Sequence, residues 1–455
     1  MSISETICAI STTMGRGAIS VIRISGKDSF PIVSKIFKGK RSIKEVHGNS
    51  IILGWIINPE TEEFVDEVLV SVFKKPHSYT GEDLLEISTH GGIVIPKRVM
   101  NLLIKQGARI AEPGEFTRRA FLNNKMSLLE AEALLNVVNA KTERGAKLAE
   151  VNLNGKLQNE VNQLKDSLID VVSVLEATLD FEDRENLEID RDRVENKINK
   201  IKEKLKLILE SYNAGRILIE GIAIAIVGKP NVGKSSLFNT ILQEDKAIVT
   251  AEPGTTRDVL EGTVDIDGYP VKFLDMAGFR APLNEPERLG IERARRIINI
   301  ADAILLLMDA SSPLSDSDDK IYKLISEKPY MLVLNKCELP KIVNRVPFPG
   351  DVVFVSAKEH TGINELNKAL IKMIESILPD SFSESLVCTT LRQAEGIKKA
   401  IEYIDKGYRL IKEKREFELV AFDFQEAIDK LKELTGEITE EDVLDRIFNE
   451  FCIGK

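Results

Sequence analysis

Gly228-Lys229-Pro230-Asn231-Val232-Gly233-Lys234-Ser235 is the stretch on which the reading of this 455-residue chain turns. It follows an apolar run, Ile222 to Val227, and precedes a helix-like stretch, Ser236 to Leu242. A strand, a turn of spacing GxxxxGK[ST] and a helix are the context in which such a turn cradles phosphate. The glycines let backbone N–H groups turn inward around phosphate oxygens, and the helix N-terminus adds its dipole. Lys234 is then placed to reach the outer phosphates and Ser235 to ligate Mg²⁺.

Working outward, four more motifs follow in order. Pro253-Gly254-Thr255-Thr256-Arg257-Asp258 offers threonine hydroxyls that can sense a γ-phosphate through Mg²⁺. Asp275-Met276-Ala277-Gly278 closes an apolar run, so its Asp can hold Mg²⁺ through water and the Gly278 N–H can meet the γ-phosphate. Asn335-Lys336-Cys337-Glu338 ends another run, and Ser356-Ala357-Lys358 ends the last. Strands expected at 222–227, 271–275, 303–309, 330–335 and 352–356 alternate with helix-like sequence. That rhythm predicts a mostly parallel sheet with right-handed crossovers, which binds ligands at its strand C-terminal ends.

The flanks differ in texture. Residues 1 to about 120 hold strand-like runs at 19–24, 51–57, 68–73 and 84–88 and a helical pattern at 95–106, the signature of an α+β domain. From Arg118 to about Tyr212 glycine and proline nearly vanish. Leu153, Leu157, Val161, Leu164, Leu168 and Val171/Val172 fall at helical intervals. Three helices are expected there, with a break at 181–186 and the third over 191–209. Helical texture returns after Pro379, so the α/β unit reads as an insertion between two helical stretches that can form one bundle. His90, before two glycines, reads as a turn residue.

Composition sets the outer limits. With 43% apolar and 29% charged residues the chain can bury real cores. A net charge of -10 argues against a broadly basic nucleic-acid binder, though not against a local basic patch. No apolar run approaches the ~18 residues of a membrane span. The start, MSISETICAIST, lacks the layout of a secretory signal. Cys8, Cys337, Cys388 and Cys452 lie far apart with no CxxC, which excludes a disulfide scaffold and a cysteine-rich zinc site. The expectation is a cytoplasmic, multidomain protein.

With its five motifs in order, the α/β block resembles the G domain of translation-factor-class GTPases. That resemblance implies GTP. Glu338 stands where the family usually has Asp, and its carboxylate can accept both N1–H and the 2-amino group of guanine. Met276 replaces the usual Thr of DTAG. Phe279 occupies the place of the glutamine that orients water in Ras-like enzymes, and a phenyl ring cannot do so. The segment 280–290 supplies Glu285, Glu287 and Arg288 as alternatives, and Asn231 is placed to ligate a monovalent cation.

Flank motifs narrow the family. These are Gly15-Arg16-Gly17-Ala18-Ile19-Ser20-Val21-Ile22-Arg23-Ile24-Ser25-Gly26, Ser78-Tyr79-Thr80-Gly81-Glu82-Asp83, His90-Gly91-Gly92, Pro113-Gly114-Glu115-Phe116-Thr117-Arg118-Arg119-Ala120-Phe121 and the closing Cys452-Ile453-Gly454-Lys455. Together they closely resemble the MnmE (TrmE) family of tRNA-modification GTPases, end to end. The resemblance implies an α+β folate-binding-type dimerisation domain at 1–119 and an α-helical domain in two parts, 120–215 and 380–455. Between them stands an inserted α/β P-loop GTPase domain at 216–379. It implies a homodimer working with the flavoprotein MnmG (GidA) as a heterotetramer, FAD entering only through that partner. The pair adds an aminomethyl or carboxymethylaminomethyl group at C5 of the tRNA wobble uridine, from a 5-formyl- or methylene-tetrahydrofolate donor.

Carried over residue by residue, the resemblance gives folate contacts at Arg23, Glu86, Lys125 and Lys455. It gives GTP contacts at Asn231, Val232, Gly233, Lys234, Ser235 and Ser236, at Thr250, Ala251, Glu252, Pro253, Gly254, Thr255 and Thr256, and at Asp275, Met276, Ala277 and Gly278. The base contacts are Asn335, Lys336, Glu338, Ser356, Ala357 and Lys358. Mg²⁺ falls to Ser235 and Thr256, and K⁺ to Asn231, Thr250, Glu252 and Thr255. Glu287 is the expected water-orienting residue, and Cys452 is expected to serve the modification. Glu86, between Leu85 and Ile87 on a strand, points away from their apolar face and can accept a pterin's paired N–H donors. The competing function is a regulatory or ribosome-assembly switch, which needs neither the folate-type domain nor Cys452.

Overall fold

The computed structural model describes residues 5–179, 191–244, 247–248, 261–275, 295–343, 346–378, 386–413 and 417–455. The chain divides into two compact units, residues 1–135 with 432–455, and residues 136–431.

The first unit is built on seven strands: β1 (Ile7–Ile10), β2 (Gly15–Ser25), β3 (Phe37–Gly39), β4 (Ser50–Ile57), β5 (Phe64–Phe73), β6 (Leu84–Gly92) and β7 (Arg109–Ile110). They pair in the order β3-β4-β5-β6-β2-β1-β7. The β5 sequence alternates, so Val68, Val70 and Val72 are buried while Glu67 and Leu69 face out. The buried face meets helices Ser29–Ile36 and Val94–Lys105 through Ile32, Val33, Ile36, Val99 and Leu103. Full burial of each such side chain is worth roughly 1.5–3 kcal/mol, so Val70→Ala in this layer is the simplest way to loosen it. The four expected strands and the expected helix are present. β1, β3 and β7 are additions, too short or too poor in β-branched residues to stand out in sequence. His90 is a strand residue of β6, contrary to the turn reading. Its Nδ1 lies 2.6 Å from Asp66 Oδ1 and its N–H donates to Asp66 Oδ2.

Residues 432–455 pack in this first unit. Helix Glu441–Asn449 sets Leu444, Ile447 and Phe448 against Leu128 and Ala131, and Ile453 bridges to Pro113. Gly114, at φ 65, passes so close that a Cβ there would sit 2.3 Å from the Phe448 carbonyl oxygen.

In the second unit the helical part holds Glu143–Leu153, Lys156–Leu179, Arg191–Glu210 and Tyr212–Glu220, more helices than the three expected. Thr142 caps the first by accepting from Gly145 N, and Asn154-Gly155, with Gly155 at φ 78, separates it from the second. Leu153 therefore belongs to a different helix from Leu157, Val161, Leu164 and Leu168, all four of which are buried. The expected break at 181–186 lies outside the described residues. Helix Leu391–Lys412 lies against Arg191–Glu210, with Lys202 Nζ 2.7 Å from Asp405 Oδ1. The two helical stretches therefore share a bundle.

Seven more strands form the second sheet: β8 (Ile222–Val227), β9 (Ala247–Ile248), β10 (Glu261–Ile266), β11 (Tyr269–Asp275), β12 (Ala303–Asp309), β13 (Tyr330–Asn335) and β14 (Val352–Phe354). Their order is β14-β13-β12-β8-β11-β10-β9. From β14 across to β11 neighbours run parallel, while β10 is antiparallel to both its neighbours. Central β8 is apolar throughout because both faces are covered: Ile222, Ile224 and Ile226 enter one core, Ala225 and Val227 the other. The antiparallel edge, β9 and β10, was not expected. β14 is shorter than the predicted 352–356 because Ser356 turns to pair with Thr361. The second unit joins its helical and sheet parts through Asp302, which accepts from Ala223 N at 2.8 Å and from Arg216 at 2.7 Å.

Candidate functional site

β8 stands where the connections reverse direction, between β11 and β12, the place where open α/β sheets bind ligands. Its C-terminal end feeds the loop 228–233, and helix Lys234–Glu244 follows, longer at both ends than the expected 236–242. A Cβ on Gly228 would lie 2.2 Å from Leu307 O, and one on Gly233 (φ 99) 2.2 Å from Asn335 Nδ2. Only glycine fits either place. Lys234 Nζ crosses the loop, donating to Gly228 O at 2.9 Å and Lys229 O at 2.7 Å. Ser235 and Ser236 are exposed at the helix start, where backbone N–H groups and the dipole favour an anion.

Asn335, 2% exposed, ties three segments together. Its Nδ2 donates to Val232 O at 2.8 Å, and its Oδ1 accepts from Ala357 N at 3.0 Å. Thr240 Oγ1 adds a bond to Ala357 O at 2.8 Å. Lys336, at φ 66, is paired with Asp309 at 2.7 Å. Hydrogen bonding from Ser356 holds the Glu338 carboxyl below its ordinary value. Glu338 is therefore an acceptor at neutral pH, suited to a purine edge that presents two N–H donors. Lys358 is exposed, and its charge adds a smaller pull on Glu338 in the same direction. Asp275 ends β11 in register with Ile226 of β8.

The remaining nucleotide assignments, Thr250 to Thr256 and Met276 to Gly278, lie outside the described residues. So do Phe279, Glu285, Glu287 and Arg288. Of the Mg²⁺ pair only Ser235 is described, and of the K⁺ set only Asn231, an exposed residue at φ 65. Among the described residues no group of three or more His, Cys, Asp or Glu could hold a metal. No described helix is long and apolar enough to cross a membrane.

The first unit brings together most of the second set. Arg23 and Glu86 face each other across β2 and β6, with Nε and Nη2 of Arg23 at 2.9 and 2.7 Å from Glu86 Oε1. Both bonds go to one oxygen, which leaves Oε2 for an incoming N–H donor. The guanidinium lies over Tyr79 (5.0 Å) and Phe116 (5.6 Å), flat aromatic surfaces beside a carboxylate. The chain terminus joins the cluster: Gly454 O accepts from Ser11 Oγ at 3.1 Å and from Arg23 Nη1 at 3.4 Å. Burial, then the Arg23 charge, holds the Lys455 ammonium below its ordinary value, with Cys452 acting the other way. Cys452 itself is exposed. Lys125 donates to Pro76 O at 3.2 Å and packs on Gly81, in the loop that carries Tyr79.

Sequence reasoning set Arg23 against the ligand's glutamyl carboxylates or a polarised carbonyl; in the structure Glu86 also engages it. That reasoning also missed Tyr79, Phe116 and Ser11, although Tyr79 and Phe116 sit inside motifs already singled out. Beneath them Arg119, 3% exposed, bonds Glu82 and Glu115 and fixes the loop and helix that carry the two rings, of which Phe116 is fully buried. Tyr79 OH bonds Thr117 at 2.8 Å in the same layer.

Comparison with known proteins places this geometry. The family described as GTP-binding protein TrmE N-terminus matches residues 6–125, and the MnmE helical domain family matches residues 128–452. Over 457 residues the chain is 40% identical to tRNA modification GTPase MnmE of Acetivibrio thermocellus, covering 99% of each protein. It is 38% identical over 462 residues to the protein of the same name from Alkaliphilus oremlandii, covering 100% of each. Among solved structures it is 27% identical to a variant of Aquifex aeolicus Era bound to GDP.AlF4-, over 40% of this chain and 66% of that one, with a TM-score of 0.26.

Proposed function

This chain belongs to the MnmE family of tRNA modification GTPases, and from that premise we propose that it hydrolyses GTP in the course of modifying C5 of the tRNA wobble uridine. It acts as a homodimer in the cytoplasm with the flavoprotein MnmG, which brings FAD, and takes a tetrahydrofolate one-carbon donor. The observation that carries the proposal is the coexistence in one chain of a phosphate loop braced to a base-reading loop and an Arg23–Glu86 pair set over aromatic rings. A nucleotide switch needs only the first.

In the G domain, Lys234 and the N–H groups from Asn231 to Ser236 bind the phosphates, and Glu338, Asn335, Lys336 and the 356–358 loop orient guanine. Ser235 and Thr256 hold Mg²⁺, which neutralises phosphate charge. Asn231, Thr250, Glu252 and Thr255 hold K⁺ when two G domains pair, and Glu287 orients the attacking water. The donor set supports the Mg²⁺ assignment in part: Ser235 is exposed at the first turn of its helix, where a hydroxyl reaches a phosphate-bound ion.

In the first unit, Glu86 accepts the pterin's N–H donors through Oε2, while Arg23, Lys125 and Lys455 meet its carbonyl or glutamyl carboxylates. A flat heterocycle suits the half-buried Tyr79 ring, with the buried Phe116 ring backing the Arg23 guanidinium. Dimerisation through residues 1–119 is supported by the outward face of β4 and β5, where Ile51, Leu53, Trp55 and Leu69 are 67, 59, 41 and 46% exposed. Cys452, exposed near Lys455, serves the modification. The test is mass spectrometry of tRNA wobble nucleosides in a strain lacking this gene. Loss of the C5 aminomethyl or carboxymethylaminomethyl group is expected, and unchanged nucleosides would leave a switch without tRNA chemistry as the better reading.

A further inference from the structure

The phosphate loop carries a second lysine, Lys229, that stands outside the nucleotide contacts assigned above. Its ammonium lies 2.7 Å from Asp318 Oδ2 and 3.1 Å from Ser315 Oγ. Asp318 is only 3% exposed at its side chain. The same Oδ2 accepts from Ser315 N at 2.8 Å, closing the capping box that starts helix Asp316–Ile325. A capping carboxylate normally faces water, and a buried one is tolerated only with a partner charge. Lys229 supplies it.

The consequence lies on the other side of Lys229. Its backbone carbonyl accepts from Lys234 Nζ at 2.7 Å. Pro230 follows, so the Lys229 backbone is confined to extended conformations and the carbonyl cannot turn independently of the chain. Side-chain tether and carbonyl thus belong to one residue, whose backbone the following Pro230 restricts. We infer that Asp318 is a positioning residue for nucleotide binding: through Lys229 it fixes the carbonyl that aims the Lys234 ammonium. This rests on the nucleotide reading of the loop. It assigns to the segment after β12 a part that no phosphate-loop motif contains.

The experiment is a thermodynamic cycle on the full chain, reading the affinity for a fluorescent GDP analogue (mant-GDP) with Mg²⁺ alongside the melting temperature. Lys229→Met and Asp318→Asn should each weaken binding about tenfold, the equivalent of ~1.4 kcal/mol. The double variant should bind no more weakly than Lys229→Met alone, because Asp318 acts only through that side chain. Lys229→Arg, which keeps the pair, should bind within about twofold of the parent. If Lys229→Met binds like the parent, or if Asp318→Asn loses as much affinity with Met at 229 as with Lys, the inference is overturned. Should Asp318→Asn fail to fold, the Lys229→Met and Lys229→Arg arms decide alone. A parent chain that binds no mant-GDP overturns the nucleotide reading itself, a result distinct from all of these.

Discussion

Replacing Asn335 with alanine should uncouple three pieces of the nucleotide site at once. The side chain is 2% exposed and makes two bonds, to Val232 O at 2.8 Å and from Ala357 N at 3.0 Å. Truncation strands a carbonyl in the phosphate loop and an N–H in the 356–358 loop. A buried polar group left unsatisfied costs roughly 1–3 kcal/mol, so two partly relaxed ones cost about 2–4 kcal/mol. Gly233 cannot close the gap, since it offers no side chain. With a urea slope of roughly 3 kcal/mol/M for a unit of this size, the midpoint falls by about 1 M. The chain allows a clean assay. Its one tryptophan, Trp55, lies in β4 of the first unit, so its fluorescence reports that unit alone. Far-UV circular dichroism weights the second unit, which holds most of the long helices. The dichroism midpoint should drop. Asn335→Asp sharpens the argument: it keeps the acceptor for Ala357 N but sets an anionic oxygen against Val232 O. Its loss should shrink toward about pH 4, where a protonated carboxyl can donate again. A dichroism midpoint within about 0.2 M of the parent for Asn335→Ala would refute the brace.

Other expectations follow from the same geometry. GTP hydrolysis should run at least about tenfold faster in KCl than in NaCl at equal concentration, a barrier difference of ~1.4 kcal/mol, and equal rates would remove the cation from the mechanism. In equilibrium dialysis of the full chain, Glu86→Gln should weaken binding of 5-formyl-tetrahydrofolate about tenfold or more, because a charge-assisted acceptor is replaced by a group that also donates; unchanged binding would detach Glu86 from the site. Glu338 is held below its ordinary value of 4.5, so the carboxylate's contribution is fully present above that value and lost only as pH falls through the lower, folded one. The preference for GTP over ITP, which lacks the 2-amino group but shares the phosphates' own titration at about pH 6, should therefore be level from about pH 8 to about pH 5, and a decline already at pH 6 would place another titrating group at the base.

How much of this was legible depended on how local each signal is. The phosphate loop was readable because its spacing and its flanking strand and helix sit within a few turns of sequence. The parallel strands were readable because burial on both faces turns them into unbroken apolar runs. β1, β3 and β7 were not, since two to four residues carry no period. The helix count failed at Thr142 and at Asn154-Gly155, a cap and a stop that periodicity alone passes over. Asn335 was marked as a base contact, and its role as a brace was invisible, because Val232 and Ala357 reach it only through the fold. The same holds in the first unit, where Ser11 and Gly454 meet across 443 residues of chain. Arg23 was read as a ligand contact without its Glu86 partner, because a sequence shows a charge without showing which internal charge answers it.

That last point bears on how both sites bind. The cations assigned to ligands are already oriented by acceptors of the chain itself: Lys234 by two loop carbonyls, Arg23 by Glu86 Oε1. Long charged side chains lose up to about 2 kcal/mol of rotamer freedom when fixed, and here folding has borne much of that loss before a ligand arrives. The partners differ in what they permit. Neutral carbonyls leave the Lys234 charge unanswered, so a phosphate adds full charge beside them and the lysine gains without losing its orientation. Glu86 is itself a full charge, so a ligand that removed it from Arg23 would strand a half-buried carboxylate. A ligand of the kind proposed for the first unit would have to satisfy Glu86 and Arg23 together, with donors facing Oε2 and an acceptor facing the guanidinium. A molecule that carries both on one rigid edge meets that condition, and the pterin ring proposed above is of that kind, unlike a simple carboxylate or a simple amine.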